Sequence, residues 1–188
     1  AGKLTPTTLP SRSFYPNAAA AATVDGQSWA VPHWVCGNFL FYLQGDTAIE
    51  TAASWDELLA ALGDDDLLVD LKGSSTLGEW YLIALALDGA DPAALVQEVN
   101  DSTLNPDALD RLDEVLDHCP LGYCRSAELH NRTGFYARMF ARGGARAYVG
   151  YSESLHDALS EISESCGPVD GCIDPDQIRV RALPGASP

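Results

Sequence analysis

The sequence predicts an α/β layer fold built on a mostly parallel or mixed sheet, and three observations predict it. Short apolar runs of strand length, such as NFLFYLQG (38–45) and LLVDL (67–71), alternate with segments whose apolar residues recur at helical spacing. Helix-start signals separate them, and the alternation continues to a last run of alternating character, QIRVRAL (177–183). With 188 residues, 46% hydrophobic and 20% charged, the chain has the size and composition of one ordinary domain, or of one lobe of a larger protein.

Taken in order, residues 1–13 (AGKLTPTTLPSRS) are rich in Pro, Ser and Thr without a period, and are expected to be a linker or lobe-crossover edge. A single α/β lobe is expected over 14–188. ATV and QSWAV flank Asp25-Gly26, a hairpin signal because a type I′ turn needs positive φ at both central positions. Ser54 with Glu57 fits a capping box opening the helix WDELLAAL (55–62). A KGSST loop (72–76) leads to an apolar helix over 78–87. Asp91-Pro92 and Asn105-Pro106 mark two further helix starts by the N-cap and N1 rule, the second with an apolar stripe of Leu109, Leu112, Val115 and Leu116. After the loop HCPLGYC (118–124), a helix is expected over 135–140, a strand over 145–150 and a helix over 154–162.

The formal charge of −16, from 27 acidic against 11 basic residues, excludes the clustered Lys and Arg that nucleic acid or an anionic membrane surface would require. A cationic or neutral small ligand fits better. No apolar run approaches the roughly 20 residues of a membrane-spanning helix, and no targeting segment is visible. The densest acidic run, GDDDLL (63–68), reads as a solvated turn rather than a metal site. Of five cysteines, Cys119 and Cys124 bracket PLGY, and Cys166 and Cys172 bracket GPVDG; both pairs suit local disulfides in an oxidising compartment. A zinc site made of those four thiolates is the competing reading. Cys36 is the odd one. NRT (131–133) is either a glycosylation sequon or a helix cap.

Ligands of open α/β sheets bind beyond the carboxyl ends of the strands. Three segments fit that place: the turn around Cys36, GSST (73–76) and GYSES (150–154). A cysteine nucleophile must ionise, with help from a base, a cation or a helix N-terminus. His33, three residues before Cys36, and Glu153 are the two bases on offer. From residue types alone, Cys36 is favoured as a buried structural thiol over a nucleophile, Glu153 as a helix cap, and GSST as a capped helix start over an anion-holding loop.

Two stretches carry a family resemblance. VPHWVCGNFLFY (31–42) and RAYVGYSES (146–154) resemble the two signature stretches of thiaminase I, thiamine pyridinylase, a secreted bacterial enzyme with the two-lobed fold of type II periplasmic binding proteins. The resemblance runs from about residue 14 to 154. It implies a three-layer lobe of that fold with a mixed sheet, and a nucleophilic Cys36 that adds to the pyrimidine of thiamine. Glu153 would be the acid/base and Tyr151 a pocket aromatic; Trp34 and Asn38 are the further substrate-binding candidates. The thiazole would leave, and an amine or thiol would take the pyrimidine, with no metal or cofactor. A missing amino-terminal lobe and a secreted or periplasmic setting are implied as well. The rival readings are a solute-binding protein for thiamine or a related cationic ring compound, and a hydrolase pairing Cys36 with His33.

Overall fold

The computed structural model describes residues 5–9, 14, 16–32, 37–87, 104–167 and 171–185. The chain divides into two compact units, Ala1–Gly37 and Asn38–Pro188. In the first, helix α1 (Pro16–Ala21) runs into a hairpin of β1 (Thr23–Val24) and β2 (Gln27–Ser28). Asp25 and Gly26 take φ of 52° and 74°, the two positive values that a type I′ turn demands. The Thr7 amide donates to Ser28 O at 2.8 Å, adding a rung to the hairpin.

The second unit begins with β3 (Asn38–Leu43), then α2 (Thr47–Thr51), α3 (Trp55–Ala61) and β4 (Leu67–Val69). Next come α4 (Ser74–Leu87), α5 (Pro106–Asp117), a 3₁₀ turn (Pro120–Arg125), α6 (Ala127–His130) and α7 (Phe135–Ala141). The unit closes with β5 (Ala147–Tyr151), α8 (Ser154–Ser165), a second 3₁₀ turn (Pro175–Gln177) and β6 (Ile178–Ala182). The sheet order is β4-β5-β3-β6. β4 and β5 are parallel, whereas β3 is antiparallel to both β5 and β6, so the sheet is mixed.

Local rules account for several boundaries. Ser54 Oγ accepts the Glu57 amide at 3.2 Å, and Glu57 reaches back to the Ala53 amide at 2.7 Å, a capping box shifted by one residue. Asn105 caps α5 through the Asp107 and Ala108 amides, with Pro106 in the first turn. In α5 the expected stripe holds at Leu112, Val115 and Leu116, which face the core, whereas Leu109 is 39% exposed and Ala108 is buried in its place. α4 begins at Ser74, four residues before the expected 78, which turns most of the KGSST loop into helix. The helix start at Pro92 lies outside the described residues.

Alternation along each strand divides the core in two. Leu40, Tyr42, Leu67, Val69, Ala147 and Val149 face one layer, packed with Trp55, Leu58, Trp80, Leu85, Leu112 and Val115 of α3, α4 and α5. Their sequence neighbours Phe41, Leu68 and Tyr148 face the other, against Tyr136, Phe140 and Ala158 of α7 and α8. That gives helix, sheet, helix: three layers. Each fully buried Leu or Phe contributes about 1.5–3 kcal/mol, and a one-residue slip in register would send every one of these side chains to the wrong face.

Cys119 is bonded to Cys124 and Cys166 to Cys172, each pair with Cα atoms 6.1 Å apart, so the four thiols form local bridges rather than a zinc site. The acidic turn is only partly solvated. Asp64 and Asp65 are exposed, but Asp66 accepts the Gly63 amide at 2.8 Å and ion-pairs with Arg146 at 2.9 Å. Asn131 caps the end of α6, its amide donating to Ala127 O at 2.8 Å.

Candidate functional site

β4 and β5 run parallel and end side by side, and β3 starts at the same edge, with Asn38 opposite Tyr151 in register. Beyond this edge opens a cleft of about 220 Å³, walled by the start of α4, residues 130–136 and the first turn of α8. Polar side chains from both strands and helices line it.

On the α4 side, a register pair on antiparallel strands projects to one face of the sheet, so Asn38 and Tyr151 both point at the helix above them. Glu79 meets them there. The Tyr151 hydroxyl donates to its Oε2 at 2.5 Å and Asn38 Nδ2 donates to the same oxygen at 3.4 Å. One carboxylate thus ties two strand ends to a helix, using neutral donors that leave its negative charge intact.

Across the cleft, Asp70 follows the last residue of β4. Its Oδ1 accepts the Lys72 amide at 3.0 Å, and its Oδ2 lies 2.6 Å from Nδ1 of His130, the last residue of α6. Gly73 makes room for the ring: a Cβ there would collide with His130 Cε1. Gly150 has the same kind of reason, since a Cβ on it would collide with the Tyr148 hydroxyl. Tyr148 donates to Ser154 Oγ at 2.9 Å inside the layer behind the cleft. Burial first, then the charges of Asp157, Asp70 and Glu153, push its pKa up to about 12, against a lowering by the Ser154 hydrogen bond. Tyr136, which donates to Tyr123 O at 2.9 Å, is raised likewise, chiefly by burial and then by Asp70 and Tyr148.

Glu153 precedes α8 and is exposed at the cleft, its Oε2 accepting from Ser152 Oγ at 3.3 Å. Asp157 lines the wall one turn later. Against Asp70, Glu79, Glu153 and Asp157 stand His130 and Arg132, and Arg132 is ion-paired with Glu128. A cleft with that surplus concentrates cations. No group of three or more His, Cys, Asp or Glu suited to a metal occurs among the described residues.

Of the residues singled out from sequence, Asn38, Tyr151 and Glu153 line this one cleft. Cys36, His33 and Trp34 lie outside the described residues. Sequence reasoning passed over Glu79, Asp70 and His130. The first had a signal, since Glu79 is the one charged residue in the apolar helix SSTLGEWYLIALAL.

No family model matches the chain. In sequence it is 28% identical over 157 residues to Thiaminase-1 of Paenibacillus thiaminolyticus, covering 74% of this chain and 37% of that protein. Over that stretch the chain resembles thiaminase I in sequence. Among solved structures, thiaminase I from Bacillus thiaminolyticus superposes with a TM-score of 0.73 at 21% identity, over 99% of this chain and 52% of that one. Clostridium botulinum thiaminase I in complex with thiamin gives 0.66 at 22%, over 89% and 46%. The GacH receptor of Streptomyces glaucescens, solved unliganded and with acarbose, gives 0.56 at 18%, over 97% and 47%. These likenesses establish the fold as type II periplasmic-binding-protein-like. The chain spans about half the length, or less, of the proteins it matches.

Proposed function

We propose that this chain is one lobe of a transferase of the thiaminase I type, completed by an amino-terminal lobe and working in an oxidising, extracytoplasmic setting where its two disulfides persist. Cys36 adds to the electron-poor pyrimidine of thiamine, Glu153 accepts the thiol proton, and the thiazole departs as a neutral ring. An amine or thiol then takes the pyrimidine and frees the cysteine. The observation that carries this reading is the acidic cleft in which Tyr151 and Glu153 of one motif meet Asn38 of the other, two positions after Cys36 in sequence. A surplus of carboxylates suits a cationic substrate, and the thiazolium is already a good leaving group.

The test uses the intact protein. Incubation with thiamine should add the pyrimidine mass to Cys36, and Cys36→Ser should abolish thiazole release while keeping thiamine binding. Glu153→Gln should slow release by about 10²- to 10⁴-fold, the usual cost of losing a general base. His33→Gln should stay within about threefold of the parent. Binding of thiamine with neither adduct nor thiazole release would mark a solute-binding protein; a large defect in His33→Gln would move the base to His33.

A further inference from the structure

Outside the groups used above, the cleft holds one more pair with the geometry of an acid/base device. His130 Nδ1 lies 2.6 Å from Asp70 Oδ2, and the other oxygen of Asp70 is fixed by the Lys72 amide. An ionised carboxylate can only accept, so Nδ1 carries the hydrogen and the neutral ring bears its lone pair on Nε2. The absent Cβ of Gly73 gives the ring its seat, and the ring lines the same cleft as Glu153 and Tyr151. A base within reach of the reacting atoms, oriented by a third group that is itself held in place, is the arrangement by which imidazoles take protons from attacking nucleophiles.

We infer that the Asp70–His130 pair accepts the proton of the incoming nucleophile in the second half-reaction, leaving Glu153 to serve the first; the inference rests on the transferase reading above. When a neutral amine attacks, a C–N bond forms at the exocyclic methylene that the thiazole has left, the electron pair shifts back into the pyrimidine ring, and the C–S bond to Cys36 breaks with its pair returning to sulfur. The proton shed by the amine nitrogen goes to His130 Nε2. Asp70 stabilises the resulting imidazolium. The other charged and titratable groups around the cleft are Glu79 from α4, Arg132 from the loop after α6, Tyr136 from α7, Tyr148 and Tyr151 from β5, Glu153 just before α8, and Asp157 from α8.

The intact protein is first loaded with thiamine until thiazole release is complete, and then mixed with either an aromatic amine or a low-pKa aromatic thiol. The thiol arrives as thiolate and has no proton to give up. His130→Gln should release thiazole at a rate within about twofold of the parent, consume the adduct about 10²-fold more slowly with the amine, and stay within about threefold with the thiolate. Asp70→Asn should show the same split with a smaller amine defect, because it weakens orientation rather than removing the base. In the parent, the amine reaction should rise with pH through one ionisation that His130→Gln lacks. Equal defects with both nucleophiles, or an amine rate unchanged in His130→Gln while thiazole release persists, would overturn the inference and leave the transferase reading standing. A parent protein that releases no thiazole would overturn both.

Discussion

The two ends of the central sheet treat charge in opposite ways. At the end where β4 and β5 begin, Arg146 donates to Asp46 at 2.8 Å, to Asp66 at 2.9 Å and to Ala61 O at 2.9 Å. Charge there is cancelled by charge, and the Asp66 hydrogen bond, ahead of the Asp46 contacts and against some desolvation, raises the arginine pKa further. At the end where those strands finish, Glu79 is held by a tyrosine and an amide, and Asp70 by a backbone amide and an imidazole. These partners hold the two carboxylates in place by hydrogen bonds from a phenol, amides and an imidazole, with no guanidinium among them. One end is built to hold the fold together, and the other to keep a field available for a ligand.

The largest test of that contrast is alkaline. Tyr148 sits behind the cleft with its pKa pushed up to about 12, mainly by burial and then by Asp157, Asp70 and Glu153. The unfolded chain loses its phenolic proton near pH 10, so the stability contributed by the buried neutral phenol is complete below about pH 10 and is lost as pH rises toward 12. The Tyr148 share of the loss is about 2–3 kcal/mol, read as a falling urea midpoint over that window; Tyr148→Phe should remove that share and leave the one contributed by Tyr136, which is raised likewise. A drop of the same size in Tyr148→Phe would assign it elsewhere. Next in size, Arg146→Met should cost about 1–2 kcal/mol in chemical unfolding, a partly exposed arginine with three acceptors being worth more than a lone surface pair. It should leave thiamine affinity of the intact protein within twofold; an affinity change would mean that the two ends are coupled. Smallest, Glu79→Gln should weaken thiamine binding about tenfold, or about 1.4 kcal/mol, with little change in the urea midpoint. A stability loss without an affinity loss would make Glu79 a structural tie and break the comparison.

What was legible in the sequence followed from short-range rules. The Asp25-Gly26 turn, the Ser54 and Asn105 caps and the two disulfide loops each depend on residues a few positions apart, where chemistry and spacing suffice. The pairing of β3 with both β5 and β6 is not encoded locally, which is why mostly parallel and mixed sheets stood level. The same limit governs the cleft. Tyr151 and Glu153 sit within one motif and could be read together, whereas Asp70 and His130, or Glu79 and Tyr151, are partners only because separate elements finish at one sheet edge. The early start of α4 was hidden for another reason: Gly73, Ser74 and Ser75 are loop formers by composition, and packing of the apolar helix that follows overrides them.

The position of β3 also fixes an order of events. Its partners begin at Ala147 and Ile178, so the strand FLFYL leaves the ribosome long before anything exists to pair with it. At a synthesis rate of roughly 5–20 residues per second, the interval between Asn38 and Ile178 lasts on the order of 7 to 28 s. Until Ala147 has been made this two-sided apolar strand has no native neighbour on either edge, until Ile178 it still lacks one, and the sheet cannot close by local steps. The nascent sheet therefore stays open on that edge, needing protection from its own kind, until Ile178 and the residues after it have been made.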